Sequence, residues 1–492
     1  MNFEVFMRSC GSIHPKRCAR TAFAALLLSG FVSPVLAQSV GLTGSGSSVV
    51  PGAPPPDVSS LGRLPAHDPN AIEADGWLLY PTVKLYSLYT DNFFLTPTQP
   101  LSVGGVGVTP SLAAVWSNGI HTTTLYGNLD GQDYPTDNSV NILDGRAGFT
   151  QRYEAMRDLI FTFNGNYAHQ TLATGLQNSI QTPTGAPVTT VLPNGNTQLP
   201  NGTVLSPSGQ VVGQASGGAG SIVPLLVNPS NQVTGTFTID KIFSRAALSL
   251  SGSINRTDYE NPSTLTPSFS SRTFTENAST WLGPLIYAYS SGSVSTVVDD
   301  AVAAVGILSP SISVTSYRVV GGLGTRLREM FVGSLYFGHQ GSEGDGATAQ
   351  GNVYGGQLSY YPTSSLTFSG TFDRTINIAS QSLGTNLALT LPGLSALQLP
   401  IFQSTITTSW GGRTSYSFNQ QWVANCQVSY SRIEFPGTTQ LDNSWVVDTT
   451  LRYDIWRNMS ILWEYRYTTL SSNLPFQSFT DNYGTVGATY RF

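Results

Sequence analysis

The sequence predicts an all-β fold: a transmembrane, antiparallel, up-and-down β-barrel of about 18 strands, with short turns at one end and long loops at the other. Three observations carry this. Between Trp77 and Phe492, segments of about 10 to 15 residues alternate apolar with polar side chains, the period of 2 that strands impose. Only 10% of the 492 residues are charged, against about 25% in soluble domains, and beyond the N-terminus no apolar run of about 20 residues could cross a membrane as a helix. Connections between segments alternate between tight and long, the asymmetry of periplasmic turns and extracellular loops. Glycine (50 residues), Ser, Thr, Asn and Gln take the place of charge, and aromatics reach 11%. That composition suits strands with one apolar face and one uncharged polar face. A net charge of -5 leaves no basic footprint, so nucleic acid is not an expected partner.

Residues 1–37 read as a bacterial-type signal peptide. Arg8, Lys16, Arg17 and Arg20 form a basic region, Ala22 to Val32 an apolar stretch of secretory length, and Val35-Leu36-Ala37 a small-residue cleavage pattern before Gln38. Cleavage after Ala37 removes those four cations and Glu4, so the mature chain carries an excess of negative side chains. Cys10 and Cys18 leave with the signal and Cys426 remains alone, which excludes an intramolecular disulfide and a cysteine metal site. Residues 38–76, with Pro51, Pro54, Pro55 and Pro56 among Gly, Ser and Val, read as a flexible periplasmic leader.

The barrel spans 77–492. Its strands fall at 77–90, 103–116, 120–131, 141–153, 158–170, 232–242, 245–258, 270–281, 284–291, 311–325, 330–340, 351–361, 365–378, 402–418, 422–435, 443–456, 459–470 and 480–492. An even count places both ends on the side of the short turns. Ser295 to Leu308 also reads as a short helix, and with it the count falls to 16 strands. A closed barrel of that size encloses an aqueous channel. Residues 171–231 form a long extracellular or lumen-folded loop. Inside it, Pro193-Asn-Gly, Pro200-Asn-Gly and Pro207-Ser-Gly recur with a period of seven, each a tight turn, so a small ribbon is expected there.

Polar-face charges on the clearest strands are candidate pore-lining residues: Asp373, Asp448, Arg452, Asp454, Glu464, Arg466 and Arg491. In the hairpin 445–467, matching faces require paired residue numbers with an even sum, and 914 or 916 is nearest the turn at Arg457-Asn458. The first sum sets Asp448 across from Arg466; the second sets Arg452 across from Glu464. Four Asp-Asn steps, Asp91-Asn92, Asp137-Asn138, Asp442-Asn443 and Asp481-Asn482, fall at the extracellular rim, either as turn chemistry or as a polar collar for solutes. His67, His121, His169 and His339 lie in no nucleophile motif, and His169 and His339 share the apolar parity of their strands. Gly322-Leu323-Gly324 and Gly104-Gly105-Val106-Gly107 are strand glycines, with no helix after them to cradle phosphate. Ser342-Glu343-Gly344-Asp345-Gly346 lacks the ligand spacing of a cation loop. Enzymatic activity, cofactors and metals are therefore not expected.

Two resemblances add to this reading. The end Tyr483-Gly-Thr-Val-Gly-Ala-Thr-Tyr490-Arg491-Phe492 resembles the C-terminal signature strand of Gram-negative outer-membrane barrels, which implies insertion through the barrel-assembly machinery with Tyr490 and Phe492 as the signal. The opening run Tyr80 to Phe94, ending in Asp91-Asn92-Phe93-Phe94, is similar to the start of the Putative beta-barrel porin 2 family. That resemblance implies a channel in the outer membrane of a Gram-negative bacterium. It would pass polar or saccharide solutes, serve exopolysaccharide export and meet periplasmic export proteins. The rival expectation is a closed structural or surface-recognition barrel whose lumen the 171–231 loop fills.

Overall fold

A computed structural model describes residues 71–492, except 94, 96–99, 136–140, 174–189, 192–196, 199–202, 206–210, 215–225, 261–267, 301, 305–306, 310, 328–329, 345–348, 364, 383–399, 420, 437–438, 457 and 474–477. The signal, most of the leader, Asp137 and Asn138 lie outside the described residues.

Eighteen strands make the wall: β1 (Trp77–Thr90), β2 (Val103–Ser117), β3 (His121–Asp133), β4 (Ile142–Met156), β5 (Leu159–Ala173), β6 (Leu226–Ile242), β7 (Ala246–Tyr259), β8 (Phe269–Trp281), β9 (Ile286–Asp299), β10 (Ile312–Leu327), β11 (Phe331–Gly344), β12 (Ala349–Thr363), β13 (Leu366–Ser382), β14 (Pro400–Ser417), β15 (Trp422–Glu434), β16 (Leu441–Trp456), β17 (Met459–Ser472) and β18 (Phe479–Arg491). Each pairs antiparallel with the next, and β18 pairs with β1 over Thr82↔Arg491 to Thr90↔Tyr483, so the sheet closes on itself. Closure leaves no free edge, the condition for a sheet to cross a bilayer with its backbone satisfied.

Every strand predicted from sequence is present. Ser295–Asp299 continues β9 and Val302–Ala304 pairs with Ile307–Ser309, so the short helix and the 16-strand count are both corrected. The alternation of Val294, Thr296 and Val298 with their neighbours lets that segment complete the ladder to β8 and β10. The leader's last residues also differ from expectation: Ile72–Ala74 folds back on Trp77–Leu79 through Asp75 and Gly76, whose φ values of 47° and 80° suit a tight hairpin. The long insertion is confined to 174–225, because Leu226 already belongs to β6. Within it, Thr190–Val191, Thr197–Gln198, Thr203–Leu205 and Val211–Gln214 form a four-stranded antiparallel sheet whose strands recur at the spacing of the Pro-x-Gly triplets.

One face of the wall carries exposed apolar side chains, including Leu85, Tyr89, Val108, Phe163, Ile254, Leu335, Trp410 and Trp445. The other carries buried polar ones, including Thr90, Asn164, Thr234, Asn255, Ser334 and Ser444. The apolar face is the outside. At the short-turn end its aromatics stack across strands, with Trp422 4.5 Å from Tyr453, Phe331 4.4 Å from Tyr360 and His121 4.6 Å from Tyr153. Toward the opposite end Phe372 lies 5.4 Å from Trp410 and Tyr430 4.8 Å from Trp445. Two such bands are the girdles that mark bilayer interfaces.

Candidate functional site: the inner wall

Register decides which inward side chains meet. β16 and β17 pair with a sum of 914, so Asp448 stands across from Arg466. Arg466 donates from Nε to Asp448 at 3.0 Å and from Nη2 to Glu464 at 2.9 Å, and its guanidinium lies 5.7 Å from the Tyr483 ring. The alternative pairing of Arg452 with Glu464 does not form: Arg452 stands across from Leu462 and instead donates to Asp454, two residues along its own strand, at 2.8 and 2.6 Å. Arg491 also occupies an inward position, opposite Thr82.

Sequence reasoning singled out Asp373 but missed the other charged and aromatic side chains around it and on the first strands. On the first strands, Asp130 accepts from Tyr86 Oη and Thr109 Oγ1, each at 2.7 Å, and Lys84 Nζ sits 4.7 Å over the Tyr86 ring. Across the lumen, Arg318 stands 3.9 Å from Asp373 and 5.1 Å from the Tyr336 ring. Apart from Lys84 and Tyr86, two residues apart on β1, these pairs are not local in sequence, so the order of strands around the ring brings them together.

Five inner tyrosines share a cross-strand partner that sequence parity hides. Tyr86, Tyr126, Tyr287, Tyr289 and Tyr336 are each paired across strands with a glycine, respectively Gly107, Gly148, Gly324, Gly322 and Gly355. A Cβ at any of those glycines would run into the tyrosine ring. Each ring therefore lies against the wall, which keeps large aromatics on the inner face without blocking the bore. The Gly322-Leu323-Gly324 and Gly104–Gly107 runs have this structural role.

The inner wall also holds buried polar atoms without a hydrogen-bond partner among the described residues, including Asn164 Oδ1, Asp240 Oδ1, Thr257 Oγ1, Ser334 Oγ and Asn425 Oδ1.

One feature narrows the lumen toward the long-loop end. The ladder between β12 and β13 stops at Tyr354↔Arg374, although β13 continues paired to β14 as far as Ser382↔Pro400. Beyond that point β13 leaves the wall and passes on its inner side. The Gln340 side chain, from β11, binds Ile376 at both backbone groups, accepting from its N–H at 3.2 Å and donating to its carbonyl. Ile376 packs with Val320, Tyr336 and Val353 on the inner wall. Gly351 permits the approach, since a Cβ there would lie 3.3 Å from Ile376 Cδ1. Val211–Gln214 of the loop sheet lies near β15, on the far side of the ring from the β5–β6 connection that carries it.

The Asp-Asn steps are absorbed by strand chemistry. Asp481 faces inward and accepts from Thr90 Oγ1 at 2.6 Å and Asn92 N at 3.2 Å. Asp442 faces inward and accepts from Gln440 at 3.1 Å. Asn443 and Asn482 face outward and accept from Tyr430 and Tyr465, each at 2.8 Å. Asp91 binds Asn482. Period-2 parity puts one member of each of the 442–443 and 481–482 steps on each side of the wall, Asp442 and Asp481 inward and Asn443 and Asn482 outward. At the terminus Tyr490 and Phe492 both face outward, rings 4.9 Å apart, and Phe492 N donates to Pro81 O at 3.1 Å.

A family model described as "Putative beta-barrel porin 2" matches residues 393–492. Among solved structures, the chain is similar to OpdL of Pseudomonas aeruginosa at 12% identity and a TM-score of 0.41, over 85% of this chain and 100% of that one. It is similar to OpdQ of the same organism at 12% identity and 0.43, over 85% and 98%. The siderophore receptor PirA from Acinetobacter baumannii matches at 6% identity and 0.42, over 84% and 80%. No curated protein matches the sequence. The described strands form a closed 18-strand antiparallel β-barrel, and the last hundred residues match that family model.

Proposed function

We propose that the chain forms a channel in the outer membrane of a Gram-negative bacterium, passing polar solutes and saccharides among them, with exopolysaccharide export as its specific service. The observation that carries this reading is the inner wall: tyrosine rings laid flat beside a mixed-charge arc of Asp130, Arg466, Asp448 and Glu464. Sugar rings stack on aromatic faces and hydrogen-bond to carboxylate and guanidinium groups, so such a wall offers a saccharide repeated weak contacts that do not trap it. Export from the cell would begin at the short-turn end, where periplasmic export proteins would dock. Insertion would follow signal cleavage after Ala37 and recognition of Tyr490 and Phe492 by the barrel-assembly machinery.

The rival reading, a closed structural or surface-recognition barrel, draws support from the inward bend at Ile376 and the reach of the 174–225 loop toward β15. Single-channel recording in planar bilayers separates the two. Whole protein should conduct, and a deletion of 175–225, which spares β6, should conduct more. Liposome swelling with maltodextrins of increasing length should give a size cut-off that rises in the deletion. Absence of conductance in both proteins would establish the closed barrel.

A further inference from the structure

The outer wall between β4 and β9 is not evenly convex. Phe149, Phe163, Phe237, Ile254, Phe274 and Val294 surround a groove of about 630 Å3 whose floor includes Gly235 and Gly252. A Cβ at either glycine would meet no heavy atom within 4 Å, so the notch is real space on the hydrocarbon side. Arg272 lines the same groove, paired across strands with Ile254 and Thr296 and therefore on the outer face.

Arg272 is exposed and has no hydrogen-bond or ion-pair partner among the described residues. The contrast with its neighbour is informative. Arg256, two residues beyond Ile254 on the same face of β7, is held by Asp258 at 2.7 Å and Asp300 at 2.5 Å. Glu276 lies four residues further down β8, buried between Leu250 and Gly292, and does not line the groove. Arg272 stands nine residues above Trp281; at about 3.3 Å per residue on a strand tilted about 40°, it is about 23 Å from the short-turn end. The apolar band of such barrels is about 25 Å tall, which puts the guanidinium at the interface nearest the long loops.

We infer that this groove is a binding site for an acylated, phosphate-bearing lipid of the outer leaflet, with Arg272 on the phosphate and the phenylalanine-lined notch on an acyl chain. An unpaired guanidinium beside hydrocarbon calls for an anion, and its fork matches phosphate oxygens. A second copy of this chain meeting the groove with its own groove would bring a second Arg272, and Asp258 and Asp300 on this face are already held by Arg256, so charge complementarity favours the lipid. The inference rests on the membrane placement proposed above.

Native mass spectrometry of the full chain in detergent, with diphosphoryl lipid A as the probe, tests it. Wild type should retain one lipid A against a large excess of inorganic phosphate. Arg272→Gln should weaken retention about tenfold, the loss of one charge-assisted contact, while Arg272→Lys keeps most of it. Gly235→Leu and Gly252→Leu, which fill the notch from open space, should weaken it as much and decide the matter alone if Arg272→Gln does not assemble. Equal retention by all variants overturns the site. Displacement by inorganic phosphate, or loss in Arg272→Gln with none in the glycine variants, reduces it to an anion contact. Oligomers that Gly235→Leu dissociates assign the groove to a second copy. A wild type that shows no heat-dependent gel shift defeats the membrane placement itself, whereas a normal shift without lipid retention defeats only this site.

Discussion

Asp91 and Asn482, 391 residues apart, hold the two ends of the barrel together by three hydrogen bonds. The Asn482 N–H donates to Asp91 Oδ1 and its side-chain amide to Oδ2, each at 2.7 Å, while the Asp91 N–H donates to the Asn482 carbonyl at 3.2 Å. The bonds lie at the loop end of the closing β1–β18 pair, where the ladder runs out at Thr90↔Tyr483. A carboxylate accepting two amide donors is a strong clasp, and it sits where the ring would first open.

Asp91→Ala should therefore destabilise closure by about 2 kcal/mol, the range for hydrogen bonds to a charged group, and Asp91→Asn by about half of that. Urea titration of protein folded into lipid vesicles, read by the gel shift between folded and unfolded forms, measures both. An unchanged midpoint in Asp91→Ala would remove the clasp from the stability of the seam.

Arg466→Ala should raise cation preference, because it leaves Asp448 and Glu464 without the guanidinium that bridges them. Arg452→Ala should change selectivity less, since Arg452 and Asp454 form a self-contained and more buried pair, with side chains 15% and 21% exposed. Reversal potentials across a KCl gradient give the order. Equal shifts, or none, would mean that the arc does not line the conducting path.

Gln340→Ala should release β13 from the inner wall by removing both contacts to the Ile376 backbone. Gly351→Val should do the same by occupying the space that Ile376 Cδ1 approaches. Both variants should conduct more than wild type with unchanged heat-modifiability. If conductance stays the same in both, the bend does not set the bore.

Phe492→Ser should lower the amount of assembled barrel several-fold while synthesis continues, since the exposed Phe492 and Tyr490 present the terminal aromatic face. Fractionation of cells into soluble and membrane pools, with the gel shift as the folding readout, tests it. Normal membrane levels would detach these residues from insertion.

Parity was legible in the sequence. Strand faces depend only on whether a position is odd or even, so Trp445, Val447 and Leu451 could be assigned outward and Asp448, Arg452 and Asp454 inward from local pattern alone. The number of strands followed, because each apolar-polar segment must cross once and each turn signal reverses it. The short strands at 190–191, 197–198, 203–205 and 211–214 pair as the seven-residue repeat led one to expect, while the Pro-x-Gly triplets themselves lie outside the described residues. Parity also separates the members of each Asp-Asn step, since consecutive residues such as Asp481 and Asn482 cannot share a face.

What only the tertiary structure decided are relations between segments. Sums of 914 and 916 preserve the same faces, so the choice that joins Asp448 to Arg466 rests on how the whole ladder from β15 to β18 aligns. The flat tyrosines depend on which glycine stands across the strand, a matter of register again. The Asp91–Asn482 clasp and the bend held by Gln340 depend on ring closure and on a strand leaving its neighbour. The alternation of side chains is a property of each strand by itself; register, closure and departure from the wall minimise the energy of all strands together, and no single segment carries that information.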